Sequence, residues 1–460
     1  MPSLVLLAAV ALEGYVVLAV ELLAIRQLTP YVGNATDTVA IVIAAVLLPL
    51  AFGYEAGGRA GLAMGDEAGV RRRLAKNLLI AALILGLGLS HPSLAAFFEA
   101  AEQLGAANRL AQTALYGALF LVYPVYLLGQ TVPLAGHCFS YADLPRSAGT
   151  MLFVSTLGSF VGSVVSTLVL MSFFGVHNTV IATLGLLLLL AGIVGWRSER
   201  RHAAAAAALA LAVAGLNNAG VMRAYGIVSD DAYSTVQVKT DPAENSRLLV
   251  VNNSPSSKVA ARSEHRFAYV NFIETEILAK LDPARPRHIL VIGAGGFTIG
   301  LEDRTNAYTY VDIDPALKQV SEEHFLRQSL TPNKAFVPES ARAFLRRNRR
   351  LYDVVVLDAY SNRLNLPADL VTREAFAGVR QALAPGGQVV MNVIASPSFA
   401  DRFSRSIDAT IRSVFPFVTR QAMAATEHGG VASILYLYRD LPDGRHEVYT
   451  DDKNRYFLDR

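Results

Sequence analysis

The stretch that decides the fold of the second half of the chain is His288-Ile289-Leu290-Val291-Ile292-Gly293-Ala294-Gly295-Gly296-Phe297-Thr298-Ile299-Gly300. Its apolar run predicts a buried strand, and its glycines predict a tight turn. The next strand-like run, 308–314, ends in the acids Asp312 and Asp314. A strand, a glycine turn and a second strand ending in a carboxylate are typical of a nucleoside-binding α/β sheet. For the glycines alone, a tight turn without a ligand is the alternative.

Two further runs repeat this pattern. Residues 335–341 predict a strand that ends at Glu339, and residues 351–360 predict one that ends in Asp358. Strands that are apolar along most of their length suit a sheet covered on both faces. Because ligands bind beyond the carboxyl ends of such strands, we expect Asp312, Glu339 and Asp358 to meet at one rim. A helix, a turn and a last strand are predicted at 372–383, 385–387 and 388–394.

In order and type, these motifs resemble those of the spermidine synthase (polyamine aminopropyltransferase) family over residues 230–420. The matching segments are VIGAGG (291–296), VDID (311–314), YDVVVLD (352–358), LPADLVTREAF (366–376) and LAPGG (383–387). Upstream, 233–238 and 247–253 are similar to the family's small N-terminal β segment. The resemblance implies a methyltransferase-type α/β domain. It also covers the apolar first half, which is similar to membrane spans fused to some family members.

The resemblance also implies a reaction. An aminopropyl group would move from decarboxylated S-adenosylmethionine, a co-substrate, to a small amine, with no metal and no permanently bound cofactor. A protonated amine is not a nucleophile, so a carboxylate must accept its proton, and the resemblance implies that Asp358 does so. Contacts to the nucleoside are implied for Gly293, Gly295, Asp312, Asp314 and Glu339, and contacts to the amine for Tyr360 and Ser361. Asp312 or Asp314 capping the following helix is the alternative.

The chain departs from the family pattern at the amine half of the site. Gly296 stands where the family has an Asp, and Ser361 stands where it has a second Asp. Glu264, Glu302 and Asp303 are candidate replacements for the lost charge. Two alternative functions therefore stay open: a non-catalytic adenosyl-nucleoside-binding or sensory domain, and an amine transporter with a regulatory domain. A methyltransferase is a further alternative, since one fold serves both donors.

The apolar residues are concentrated before residue 220. The 460 residues are 53% hydrophobic with a net charge of +3, and runs near twenty apolar residues predict membrane-spanning helices. They lie at 4–25, 38–56, 77–98, 112–136, 150–174 and 178–196, with a marginal alanine-rich seventh at 203–219. The N-terminus lacks a basic region, so a cleaved signal peptide is not expected. The sequence thus predicts a multi-pass protein of the cell (inner) membrane.

Basic loops predict the orientation of these spans. Loop 57–76 holds five Lys or Arg residues, and the loops 137–149 and 197–202 hold four more, whereas the alternate loops hold Arg26 and Arg109. Loop 57–76 is therefore predicted to be cytoplasmic. With six spans the second half is also cytoplasmic, where adenosyl-sulfonium substrates are made, and we expect this placement. A seventh span at 203–219 would place it outside.

Inside the predicted spans, Glu13 and Glu21 are unusual because ionisable groups there are costly. They could contact a cationic amine. The interpretation we favour is that Glu21 pairs with Arg26 and that Glu13 faces the protein interior. In the fifth span, Gly158 and Gly162 predict close packing between helices.

The sequence predicts four segments. They are a transmembrane helical domain (1–220), a small β segment with a linker helix (221–287), an α/β nucleoside-binding domain (288–440) and a polar tail (441–460). The expected partners are the amine and the lipid bilayer, and a homo-oligomer is left open. The chain has no basic and aromatic stripe of the kind that binds nucleic acid.

Overall fold

The computed structural model describes residues 3–64, 66–105, 108–138, 144–196, 200–262, 265–360, 366–425 and 430–440. The chain divides into two compact units. The helical unit comprises Met1–Asp241, Arg247–Ser256 and Ser361–Asn365, and the α/β unit comprises Pro242–Ser246, Ser257–Tyr360 and Leu366–Arg460. Apolar helices followed by an α/β sheet are the fold class that the sequence predicts, and this prediction is confirmed. The predicted tail, 441–460, lies outside the described residues.

Helices of very different lengths make up most of the helical unit. They are α1 (Ser3–Val32), α2 (Thr36–Met64), α3 (Glu67–Gly88), α4 (His91–Gln103), α5 (Arg109–Gly117), α6 (Tyr123–Gly129), α7 (Thr131–Gly136), α8 (Leu144–Val164), α9 (Ser172–Phe174), α10 (Val176–Trp196), α11 (Arg200–Leu216) and α12 (Ala219–Ala224). Segments of π-helix at Ala118–Val122 and Val165–Met171 join α5 to α6 and α8 to α9.

Six helical stretches in the described part of the chain are long and apolar enough to cross a membrane. They are Leu4–Val32, Thr36–Met64, Arg109–Gly136, Ala148–Phe174, Val176–Trp196 and Arg200–Ala224. The last of them contains the alanine-rich segment 203–219, which the sequence left as marginal. Length and composition thus allow this segment to be a span.

The predicted third span, 77–98, is not one straight helix. The structure ends α3 at Gly88 and starts α4 at His91, and the two helices meet at a bend of 63°. Pro92 lies in the first turn of α4, a position that proline tolerates because its missing N–H has no partner there anyway. A proline within a continuous helix would instead remove a hydrogen bond. The bent pair can be counted as one broken span.

Glycines let α1 and α8 pack closely, as the sequence predicts. A Cβ added at Gly158 would lie 2.0 Å from the carbonyl oxygen of Ala11, and one at Gly162 would lie 2.4 Å from that of Tyr15. Glu13 is buried between these helices and accepts a hydrogen bond from Ser155 (3.0 Å). The prediction that Glu13 faces the interior is confirmed.

The predicted Glu21–Arg26 pair is wrong. Arg26 instead donates to the carboxylate of Asp230 (3.3 Å) and to the hydroxyl of Thr235 (3.1 Å). These partners lie in a four-stranded sheet of order β1-β2-β3-β4, formed by Ile227–Asp230, Thr235–Asp241, Ser246–Val251 and Ser254–Ala260. Arg26 lies near the end of α1, where the guanidinium reaches residues that are distant in sequence.

A seven-stranded sheet forms the core of the α/β unit. Its strands are β5 (His288–Ile292), β6 (Ala307–Asp312), β7 (Lys334–Pro338), β8 (Tyr352–Leu357), β9 (Leu383–Ala395), β10 (Thr419–Ala425) and β11 (Ala432–Arg439). Its helices are α13 (Ala268–Phe272), α14 (Leu317–Val320), α15 (Ala341–Arg347), α16 (Arg373–Gln381) and α17 (Arg402–Arg412). Helical turns at Ile273–Ile277, Leu278–Lys280 and Ser321–Leu326 extend α13 and α14.

The strand order is β10-β11-β9-β8-β5-β6-β7. Strand β5 is parallel to both of its neighbours, β6 and β8. The chain builds β6 and β7 on one side of β5 and then crosses to β8 and β9 on the other. Ligands of such sheets bind where the order reverses, beyond the carboxyl ends of the strands. The residues that follow β5 and β8 are therefore where this fold places a ligand site.

The predicted turn at 385–387 lies inside a strand. Strand β9 runs from Leu383 through Gly386, which has φ +75°, and the pairing of β8 with β9 shifts register between Tyr352 and Val354. The Pro-Gly-Gly sequence therefore produces an irregularity within β9 and does not end it. The predicted helix at 372–383 is found as α16, and Thr372 caps it by accepting a bond from the amide of Ala375.

Candidate active site

Gly293 lets the glycine turn pack against the residue that follows β8. Its φ is +89°, and a Cβ added there would lie 2.2 Å from the backbone oxygen of Asp358. The amide of Asp358 donates to the carbonyl of Ile292 at 2.8 Å. A side chain at position 293 would push these two segments apart. Glycine is therefore required for the turn after β5 to lie directly against the residue after β8.

The carboxylate of Asp358 is held by two side chains from different elements. Tyr269 donates its hydroxyl to Oδ2 at 2.7 Å, and Asn392 donates Nδ2 to Oδ1 at 2.9 Å. Asn392 in turn accepts a bond from Ser433 (2.6 Å). Burial raises the pKa of Asp358, and the bonds from Asn392 and Tyr269 partly oppose this by favouring the charged form. The result is a fixed carboxylate with an increased affinity for a proton.

Asp312 fixes the glycine turn. Its Oδ2 accepts a bond from the amide of Ala294 (3.0 Å), and its Oδ1 accepts one from the amide of Asp314 (3.2 Å). Burial raises the pKa of Asp312, and these backbone amides act against that rise. Each carboxylate oxygen has a second lone pair, so a contact to ribose is compatible with this arrangement and stays a prediction.

Asp314 and Glu339 have partners within the protein. Asp314 is buried, and its Oδ1 accepts a bond from the amide of Ala316 (2.9 Å) in the turn before α14. Ala316 is the N-cap of α14, which has no side-chain cap bond, so the capping alternative does not hold for Asp314. The amide of Glu339 donates to the carbonyl of Asp312 (2.7 Å), so Glu339 lies at the expected rim. Its carboxylate forms an ion pair with Arg347 (Nε to Oε2, 2.7 Å). Contact of Glu339 with a nucleobase would have to share this carboxylate with Arg347.

Packing explains why the family's aspartate is missing at Gly296. A Cβ added at Gly296 would lie 2.2 Å from the ring of Phe325 and 2.9 Å from the Cβ of Ser257. The amide of Gly296 donates to the hydroxyl of Ser257 at 2.8 Å. Phe325, which is fully buried, therefore occupies the space that a side chain at position 296 would need.

Of the two residues expected to contact the amine, Tyr360 is among the described residues and Ser361 is not. The hydroxyl of Tyr360 donates to the carbonyl of Asn392 (3.1 Å) and accepts a bond from the amide of Ile394 (2.8 Å). Tyr360 thus anchors the segment after β8 to β9. Ser361 lies outside the described residues.

Neither Asp303 nor Glu302 restores the charge of the amine half. Asp303 precedes β6, at the amino ends of the strands, and the rim lies at their carboxyl ends. Asp303 accepts a bond from the hydroxyl of Tyr308 (2.7 Å). Burial acts to raise the pKa of Asp303, but hydrogen bonds from Tyr308, Asn306 and Thr305 together lower it. Glu302 is exposed beside it, and Glu264 lies outside the described residues. Asp303 therefore stabilises the loop before β6.

Sequence reasoning missed the partners of Asp358. Tyr269 lies within the range 230–420 that resembles the family, but no role was assigned to it. Asn392 carried a usable signal, because it is the one polar residue within the apolar run 389–394 of a buried strand. A buried polar side chain needs a partner, and Asp358 is that partner. Ser433 carried no comparable signal.

Comparisons with known proteins found similar chains for part of this sequence. No protein-family model matches the chain. A polyamine aminopropyltransferase of Vibrio vulnificus is 30% identical over 157 residues, which cover 32% of this chain and 50% of the relative. Polyamine aminopropyltransferase 2 of Pseudomonas aeruginosa is 28% identical over 178 residues, which cover 37% of this chain and 49% of the relative. The chain thus spans about half the length of these curated relatives.

A crystal structure of a probable spermidine synthase from Corynebacterium glutamicum is also similar. It aligns with a TM-score of 0.39 and 22% identity, over 48% of this chain and 80% of that chain. The curated relatives confirm the resemblance to the spermidine synthase family that the motifs predict.

Proposed function

We propose that the chain is a membrane-bound aminopropyltransferase of the spermidine synthase type. In this reaction the lone pair of an amine nitrogen forms a bond to the aminopropyl carbon of decarboxylated S-adenosylmethionine. The C–S bond breaks, its electron pair stays on sulfur, and methylthioadenosine leaves. The nitrogen loses one proton to the protein. Because the sulfonium is already an activated leaving group, the proton acceptor is the main chemical group that the protein must supply.

The position and the surroundings of Asp358 are the main support for this proposal. It follows β8 at the point where the strand order reverses, directly beside Gly293 of the glycine turn. The two donors Tyr269 and Asn392 fix its carboxylate, and burial raises its pKa. A carboxylate in this state can orient an ammonium group and accept its proton. The relatives named as polyamine aminopropyltransferases support the class of reaction.

The acceptor is proposed to be less highly charged than a diamine. Phe325 leaves no space for an acid at position 296, and Ser361 carries no charge. Asp358 would then be the main carboxylate for the amine, which suits a single ammonium group near the reacting nitrogen. This places the difference from the family in the amine half of the site.

Turnover tests the proposal directly. The detergent-purified chain is incubated with decarboxylated S-adenosylmethionine and a panel of monoamines and diamines, and release of methylthioadenosine is measured. Transfer to at least one amine is expected, with monoamines competing well. Adenosyl binding without transfer to any amine would favour the non-catalytic alternative. The same assay in sealed vesicles of known orientation gives the side of the active domain, which we propose is cytoplasmic, because a charged sulfonium does not cross the bilayer.

Asp312→Ala is expected to weaken methylthioadenosine binding by at least tenfold. The change removes the acceptor for the Ala294 amide as well as the proposed ribose contact. Calorimetric titration of the purified chain measures the affinity. Asp303→Ala is the matched control, because it removes an equally hydrogen-bonded aspartate at the opposite edge of the sheet. Equal affinities in the two variants would argue against a nucleoside site at Asp312.

Tyr269→Phe is expected to move the acidic limb of the kcat/KM–pH profile to higher pH. Asp358 acts as base only when ionised, so activity rises as pH passes upward through its pKa. The Tyr269 hydroxyl stabilises the ionised form, and its loss raises the pKa further. The control is Tyr438→Phe, which removes a hydroxyl that donates to Asp440 instead. An unchanged limb in Tyr269→Phe would exclude this positioning role.

A further inference from the structure

A polar pocket lies within the helical unit, apart from the site around Asp358. Its walls come from the end of α1, from α4, α10 and α12, and from β1 and β2. All of its lining residues belong to the helical unit. The pocket therefore belongs to the part of the chain for which the aminopropyl transfer reaction gives no role.

Three lining side chains bring buried, unpaired polar atoms to this pocket, and two of these atoms are amide oxygens, which only accept hydrogen bonds. Gln27 Oε1, Asn217 Oδ1 and His177 Nδ1 have no hydrogen-bond partner among the described residues. Both amides are fixed in orientation, because Gln27 Nε2 donates to a backbone carbonyl at 2.8 Å and Asn217 Nδ2 does so at 2.9 Å. Reversing either amide would set two oxygens against each other. An unpaired buried acceptor raises the free energy of the folded state, so a ligand that donates hydrogen bonds would be stabilised here.

The pocket is also lined by one carboxylate, that of Asp230. Its Oδ1 accepts bonds from Thr235 (2.8 Å) and from Arg26 (3.3 Å). Arg26 offsets the charge of Asp230, so the set of acceptors, and not a net negative charge, selects the ligand. Leu94 and Met222 supply apolar surface in the same pocket.

We propose that this pocket binds the primary ammonium group of a small amine. An ammonium has three donors and no acceptor, which matches a pocket whose unpaired lining atoms include the amide oxygens of Gln27 and Asn217. An alcohol brings acceptors of its own, and a quaternary ammonium has no N–H to donate. The enclosed space is about 20 Å³, which suits the ammonium group, and the methylene chain would extend from it along Leu94 and Met222. The site is separate from the amine position at Asp358 and does not depend on the transfer reaction.

Calorimetry with three probes tests this site. The whole chain is purified in detergent and amine-free buffer with Asp358→Asn, which weakens the amine position of the α/β unit. It is then titrated with n-butylammonium, n-butanol and tetramethylammonium. Saturable one-to-one binding of n-butylammonium is expected, at least tenfold tighter than that of the other two probes. No saturable binding, or equal binding of all three, would mean that ordered water alone fills the pocket and would overturn the proposal.

Variants of the lining residues locate the binding. Asn217→Leu and Gln27→Met are each expected to weaken n-butylammonium binding by at least tenfold, because each removes one acceptor. Asn77→Leu is the matched control, since Asn77 is another buried asparagine of the helical unit and donates instead to Gln130 (3.1 Å). If Asn217→Leu does not fold, Gln27→Met decides the question. Binding that survives in a folded lining variant as well as in the control would refute the assignment.

Discussion

Asp358→Asn is expected to lower kcat for aminopropyl transfer by about 10²–10⁴-fold, the usual contribution of a positioned general base. An amide is close in size to a carboxylate but cannot take the proton of the attacking ammonium. The new amide also brings an N–H group toward Tyr269 and Asn392, which both donate to the native carboxylate. Methylthioadenosine should still bind, because the glycine turn contacts the backbone of Asp358 and not its side chain.

Asp353→Asn is the matched control for this change. Asp353 lies in the same strand near its other end, where it binds Arg287 (2.9 Å) and the amide of His288 (2.9 Å). Its replacement should leave the chemical step nearly unchanged. Stopped-flow or quenched single-turnover assays separate chemistry from binding. Full activity of Asp358→Asn in folded protein would remove the proton-accepting role and leave the donor set around Asp358 with a structural function.

The rim of the sheet could be predicted because it depends on local chain chemistry. Apolar runs of strand length that end in acids indicate parallel strands, and the carboxyl ends of parallel strands meet at one edge. This reasoning placed Asp358 beside the glycine turn and Glu339 beside Asp312, as the structure shows. The positive φ of Gly293 also follows from the need for a sharp turn after a buried strand.

The rest of the site depends on contacts between residues that are distant in sequence. The absence of an acid at Gly296 is explained by Phe325, which comes from the helical turn after α14 and fills the space. The orientation of Asp358 depends on Asn392, 34 residues later. The same limit applies to Arg26, which a local rule paired with Glu21 but which reaches Asp230 in the fold. Spacing along one helix cannot reveal such partners.

Proline placement accounts for the bent third span. The hydropathy of 77–98 is continuous, so a window of apolar residues predicts one helix. The Ser90-His91-Pro92 sequence contains the signal for a new helix start, and the structure has one there, with a bend of 63°. Residues typical of a helix start therefore reveal a break between helices that the hydropathy of a span does not.

Gly293→Ala is expected to destabilise the core of the α/β unit by about 2–5 kcal/mol, from the left-handed backbone and the steric overlap together. The Cβ would lie 2.2 Å from the carbonyl oxygen of Asp358, so the turn after β5 and the end of β8 must separate. Amide hydrogen exchange along His288–Ile292 should quicken, and methylthioadenosine binding should fall below detection.

Gly430→Ala separates the two causes of this destabilisation. Gly430 also has a positive φ, +83°, but no described atom lies within 4 Å of the Cβ that would be added. It therefore reports the cost of the backbone conformation alone, about 1–2 kcal/mol. If Gly293→Ala is no worse than Gly430→Ala in exchange and in nucleoside binding, the close contact between the turn and Asp358 does not exist. A much larger effect at Gly293 would establish that the glycine turn and the segment at Asp358 are one packed assembly, in which neither can shift without the other.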